Sequence, residues 1–218
     1  MARSLRIEYE NALYHVTAHS IDEGVLFRDS HDRVVFLNLL ARVCEHYEIS
    51  CLAWCLMTNH YHLVLQTENP NLGRAMQYLN SHFAQASNRR YGRRGPLFLR
   101  RYHPSIVESE SYLLQAIRYV LLNPVKAGIV RSPGEWRWSS FRFMFDVKPS
   151  LGVFSCRDML TLFGDDPDLA REHFRDWMLA EDESALAGSS GARASPAPNG
   201  RSHDAQIVDS EFSVGSEC

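Results

Sequence analysis

No apolar run in the sequence approaches the roughly 20 residues of a membrane-spanning helix, although 45% of its 218 residues are hydrophobic and 11% aromatic. A soluble protein with no membrane partner is expected. The start, Met1-Ala2-Arg3-Ser4-Leu5-Arg6, lacks an apolar core of signal-peptide length, so nothing in it directs export. No Cys-x-x-Cys pair occurs. The five cysteines, at 44, 51, 55, 156 and 218, are odd in number, which supports neither a disulfide framework nor a zinc ribbon. Reduced thiols and a cytoplasmic location are expected. The length suffices for one ordinary domain with appendages, and not for two large domains enclosing a cleft.

The most informative absence is local. From Asn69 to Val107, 39 residues contain no Asp or Glu, yet they carry Arg74, Arg89, Arg90, Arg93, Arg94, Arg100 and Arg101. A random surface would intersperse acids among so many arginines, and such a stretch attracts polyanions. These seven arginines are the candidate polyanion-binding residues. The overall charge of −3 conceals this segregation. Residues 1–145 hold 17 Lys and Arg against 12 Asp and Glu, whereas residues 146–218 hold 6 against 14.

Leu13 to His19 reads as a strand, and Ser30 and Asp32 open an amphipathic helix to about Tyr47 with Val34, Leu37, Leu40, Ala41 and Cys44 as its buried stripe. Ile49 to Met57 and His60 to Gln66 flank Thr58-Asn59, the spacing of a tight hairpin. Leu72 to about Arg90 reads as a helix, His103 to Glu108 as a strand. A helix capped by Ser109 or Ser111 follows, and it is expected to stop near Asn123-Pro124, because proline disfavours helix in the residue before it. The order β-α-β-β-α-β-α predicts an α+β fold, a mostly antiparallel sheet with helices packed on it. Residues 1–145 would form this domain. Residues 146–183 would form a small acidic appendage with helices at Cys156 to Phe163 and Asp168 to Leu179, and the Gly, Ser, Ala and Pro-rich residues 184–218 a disordered tail.

In a strand, His60 and His62 leave the same face while Tyr61 leaves the other, so two imidazoles stand side by side as a candidate metal pair. A His-x-His pair in a strand is more often packing than ligand, and the hairpin alone decides nothing. On the late helix, Tyr119 and Asn123 lie at i and i+4, one side chain able to react and one to ligate. A phenol needs a nearby cation or a polarised electrophile to act as a nucleophile, which a two-histidine metal site would supply.

Met57-Thr58-Asn59-His60-Tyr61-His62-Leu63-Val64-Leu65 and Arg118-Tyr119-Val120-Leu121-Leu122-Asn123-Pro124-Val125-Lys126-Ala127-Gly128 together resemble the REP-associated tyrosine transposases, a family of the HUH single-strand nucleases. The likeness continues in order through Asn71-Leu72, Leu79-Asn80, Asn88-Arg89-Arg90, Leu97-Phe98, Tyr112-Leu113 and Trp138-Ser139-Ser140, about residues 7–145. The resemblance implies a ferredoxin-like βαββαβα core. It implies Tyr119 as catalytic nucleophile on a DNA phosphodiester, leaving a 5′-phosphotyrosine, and His60, His62 and Asn123 as ligands of a divalent metal, Mg2+ or Mn2+ by phosphate chemistry. The implied activity is that of a transposase and endonuclease that cleaves and rejoins single-stranded DNA beside hairpins, with single-stranded or hairpin DNA as partner and a monomer or homodimer as the active species. The alternative is a domesticated hairpin-binding protein without turnover. Two departures stand out. Leu99-Arg100 and His103 replace the family's Gln-Gly and Lys, and Thr17-Ala18-His19-Ser20 lacks the Arg-Gly that often follows the first strand.

Overall fold

Four strands, β1 (Ala12–His19), β2 (Ile49–Leu56), β3 (His60–Thr67) and β4 (His103–Ile106), pair in the order β2-β3-β1-β4, every pair antiparallel. In this computed structural model residues 8–21, 24–145 and 159–180 are described. The expected tail from residue 184 and the first residues of the expected helix at Cys156 lie outside them. The features below belong to one compact unit that reaches to Met178.

The sheet carries α1 (Ser30–Tyr47) and α2 (Leu72–Tyr91) on one face, and α3 (Glu110–Lys126) packs against β2 and β3. The split is written in the strand period of two. Along β1, Ala12, Tyr14, Val16 and Ala18 are buried beneath the helix pair, while the alternate residues Leu13, His15, Thr17 and His19 are more open. Tyr61 of β3 goes under the helices. It touches Phe36 of α1, ring centroids 4.7 Å apart, and donates a 2.7 Å hydrogen bond to Oδ1 of Asn80 on α2. Phe36, Phe83 and Phe27 complete this aromatic core, each buried ring contributing about 1.5–3 kcal/mol.

Helix ends follow local chemistry. The carboxylate of Asp29, not the hydroxyl of Ser30, caps α1 by accepting from Asp32 N–H at 3.1 Å. The buried stripe of α1 is accordingly turned toward Phe36 and Val43, and Val34 and Ala41 lie at its margin. Ser109 caps α3 through Tyr112 N–H. Contrary to expectation, α3 does not stop before Pro124. It runs through the proline to Lys126, because Asn123 and Pro124 are themselves buried in the packed face and the chain turns only at Gly128, whose φ of +68° an L side chain would strain.

Each sheet edge is protected in its own way. The segment Trp138-Ser139-Ser140 bonds along β2, with Leu56 N–H to Trp138 C=O at 2.8 Å and Ser140 N–H to Trp54 C=O at 2.9 Å. At the other edge β4 is only four residues long and contains Pro104, which blunts it against further pairing. Beyond, α4 (Pro167–Leu179) begins where Oδ1 of Asp166 accepts from the N–H groups of Asp168 and Leu169. Its Phe174 packs on Phe141, Phe145 and Phe163, and the Arg118 guanidinium of α3 lies 5.6 Å over Trp177.

Candidate functional site

The open face of the sheet gathers histidines from both central strands. His60 and His62 leave β3 on one side, with ring centroids 4.9 Å apart. Because β1 is antiparallel to β3 and pairs His19 with His60 and Thr17 with His62, His15 and His19 emerge on the same face. His19 stacks on His60 at 4.7 Å, and His15 stacks on His62 at 5.3 Å. Sequence reasoning passed over His15 and His19. Their signal was present, since they stand two residues either side of Thr17, but which strand pairs with β3 cannot be read locally.

From α3, Tyr119 meets the edges of both inner imidazoles, 5.5 Å from His62 and 5.7 Å from His15 between ring centroids. Asn123, one turn on, brings its side-chain amide beside His60, whose pKa it raises. Helical spacing would put Tyr119 and Asn123 together on a side away from a Leu114-Ile117-Leu121 stripe; instead Asn123 is buried on the packed face that includes Ile117 and Leu121, and Tyr119 stands at the rim, 43% exposed. Lys126 holds its ammonium 5.3 Å from the Tyr119 ring centroid. Tyr112, the other tyrosine of α3, is exposed near the helix start.

Burial dominates the electrostatics. It pushes His60 down to about 4 from an ordinary 6.5, aided by the charge of His19 and opposed by the Asn123 hydrogen bond. Burial pushes His62 down further, with His60, His15 and His19 adding to it, and lowers His15, with His103 adding. Near neutral pH these imidazoles hold lone pairs, the state a cation requires.

The ring nitrogens are arranged accordingly. His60 Nδ1 lies 2.7 Å from Oδ1 of Asn59, and His62 Nδ1 lies 3.0 Å from Nε2 of His15. His62 Nε2 is buried with no hydrogen-bond partner among the described residues. A buried polar atom left bare is costly unless something ligates it. Among the described residues no three His, Cys, Asp or Glu side chains gather as a ligand group. The Asn123 amide lies beside His60 and offers an oxygen donor next to the two imidazoles. Two imidazoles and an amide fit a divalent cation.

The arginines do not form one patch. Arg74 is exposed near the start of α2, and Arg89 is exposed near its end, about 22 Å away at helical rise. Arg90 is held by Asp29 at 2.6 Å and Asp32 at 2.7 Å, so its charge already binds α2 to α1. Tyr91 donates to Asp32 and is flanked by the guanidinium groups of Arg28 and Arg90 at 4.3 and 5.0 Å, which takes up the ring as a stacking surface. Arg93 and Arg94 follow Gly92 in the loop, Arg93 half-buried and Arg94 exposed. Arg100 and Arg101 line a groove with Thr17, His19, Leu99 and His103. Leu99 N–H bonds His19 C=O at 3.0 Å, so this groove opens beside the histidines.

A family profile described as "Transposase IS200 like" matches residues 8–122. A curated protein of Haemophilus influenzae named for the REP-associated tyrosine transposases is 28% identical over 127 residues, which span 53% of this chain and 71% of that one. Among solved structures, a REP-associated tyrosine transposase bound to a REP hairpin superposes with a TM-score of 0.59 at 14% identity, covering 72% of this chain and 90% of the other, a likeness of fold.

Proposed function

The chain belongs to the family of IS200-like transposases, and from that premise we propose that it cleaves and rejoins single-stranded DNA next to hairpins, with Tyr119 as nucleophile. The observation that carries this reading is the convergence of α3 on β3. Tyr119 sits 5.5 Å from His62 between ring centroids, and the Asn123 amide lies beside His60.

In this reading His60, His62 and Asn123 hold a divalent cation, Mg2+ or Mn2+. When bound, the cation supplies Lewis-acid polarisation of a non-bridging phosphate oxygen. Tyr119 is exposed enough to meet a phosphodiester, and Lys126 holds its ammonium over the face of the ring. The Tyr119 oxygen bonds to phosphorus as the bond to the 3′ oxygen breaks. The phenol proton passes to solvent, and the departing oxygen takes up a proton to become a free 3′ hydroxyl. Ester energy is kept in the phosphotyrosine, so the step reverses without ATP. Arg100 and Arg101 would receive the strand in the groove beside His19, and Arg74, Arg89, Arg93 and Arg94 would hold more distant phosphates. Arg90, already paired, contributes least.

The test is incubation of the purified protein with end-labelled single strands carrying a hairpin. A denaturant-resistant protein–DNA adduct is expected with Mg2+ or Mn2+ and none with EDTA. An adduct that forms equally well in EDTA would remove the metal from the proposal, and tight hairpin binding without any adduct would leave a binding protein without turnover.

A further inference from the structure

The reading above uses His62 but leaves His15 without a role. In the antiparallel register His15 faces Val64 and His62 faces Thr17, so the two histidines are diagonal neighbours across β1 and β3. They meet through His15 Nε2 and His62 Nδ1 at 3.0 Å. Two neutral imidazole nitrogens at that distance share one hydrogen, and which ring carries it decides what His62 can do. If His15 donates, the hydrogen of His62 lies on Nε2, a buried N–H with no acceptor among the described residues. If His62 donates from Nδ1, its Nε2 presents a bare lone pair to the same buried space.

His60 shows the same kind of support on its own ring. Its Nδ1 faces Oδ1 of Asn59, an acceptor with no hydrogen to give, so His60 is the donor in that contact. Two supports of different chemistry thus act on the same ring atom of two neighbouring histidines. His19, by contrast, stacks on His60 at 4.7 Å, and it occupies neither of these Nδ1 contacts.

We propose that His15 is a positioning residue that accepts a hydrogen bond from His62 Nδ1–H, fixing the tautomer in which His62 Nε2 is free to bind a divalent cation. Ligating histidines generally donate their other N–H to such a partner, and loss of the partner costs about 10–100-fold in metal affinity. The inference rests on the reading of His62 as a ligand, and the experiment separates the two.

Mn2+ affinity is measured by electron paramagnetic resonance titration of the full chain without DNA, for the wild type, His15→Leu, His15→Gln and His62→Ala. Long-range 1H–15N correlations of the wild-type imidazoles are recorded at mildly alkaline pH. Expected are a loss of about 10–100-fold for His15→Leu, recovery of most of it in His15→Gln, whose amide oxygen can accept the same bond, and wild-type His62 protonated on Nδ1. The wild-type spectrum needs no variant and so does not depend on how His15→Leu folds. If His62 carries its hydrogen on Nε2, or if Mn2+ affinity in His15→Leu equals wild type while His62→Ala abolishes it, His15 has no such role. If His62→Ala leaves Mn2+ affinity unchanged, the reading of His62 as a ligand falls, and the role of His15 with it.

Discussion

At the scale of single residues, side chains a few ångströms apart carry different duties, and substitution should separate them. His60→Ala or His62→Ala should abolish metal-dependent cleavage and lower metal affinity while leaving binding to single strands in EDTA near wild type, checked by titration and by gel shift. Acid tests the same imidazoles. Burial holds His60 near 4 instead of 6.5, so the unfolded chain takes up protons that the folded chain refuses. Stability is therefore undiminished above about pH 6.5 and falls as pH drops from there toward 4. His60→Gln should flatten part of that fall in urea-unfolding midpoints, His62 and His15 supplying the remainder; an equally steep profile contradicts the assigned cause. That His60 stands beside His62, and Tyr119 one turn from Asn123, was legible from strand period and helical i, i+4 spacing, while the roles proposed for them come from the resemblance. The placement of His15 and His19 beside them was not legible, since it comes from the pairing of β1 with β3, a contact between residues more than 40 apart in sequence.

At the scale of elements, Arg90 and the end of α3 teach the same lesson. Both looked locally determined, one as a free cation in a basic run and the other as a helix stop, and tertiary contacts decided each. Arg90 clasps Asp29 and Asp32, and the Asp32 side chain is only 3% exposed. Arg90→Ala should therefore lower Tm by loosening α1 from α2 and leave the salt dependence of DNA binding unchanged. The pair also holds the Asp29 carboxyl at about 2, below its ordinary 3.8. Its stabilisation is present above pH 3.8 and is lost as pH falls toward 2. A variant with wild-type Tm and a reduced salt slope would return Arg90 to the DNA-binding set. The helix boundaries were otherwise close, since α2 buries Leu72, Ala75, Met76, Leu79 and Phe83 on a face of period 3.6.

At the scale of the whole molecule, the segregated charge and the α+β order were readable from composition and element sequence alone, and the family profile over residues 8–122 agrees with the resemblance that the two motifs carry. The spatial spread of the arginines was not readable, because α2 separates Arg74 from the Gly92 loop. Arg93→Ala with Arg94→Ala should weaken binding to all single strands alike and reduce the slope of log affinity against log salt by about 1 to 2, near 0.7 for each phosphate no longer neutralised. An untouched slope with lost hairpin preference would make these two arginines base readers. Everything proposed for the site turns on one phenol of α3 attacking DNA. Peptide mapping of the covalent adduct by tandem mass spectrometry, with Tyr119→Phe alongside, measures that step itself. Expected are a nucleotide phosphate on Tyr119, no adduct from Tyr119→Phe, and hairpin binding retained in that variant. A nucleotide found on Tyr112 or any other residue, or an undiminished adduct from Tyr119→Phe, would contradict the assignment.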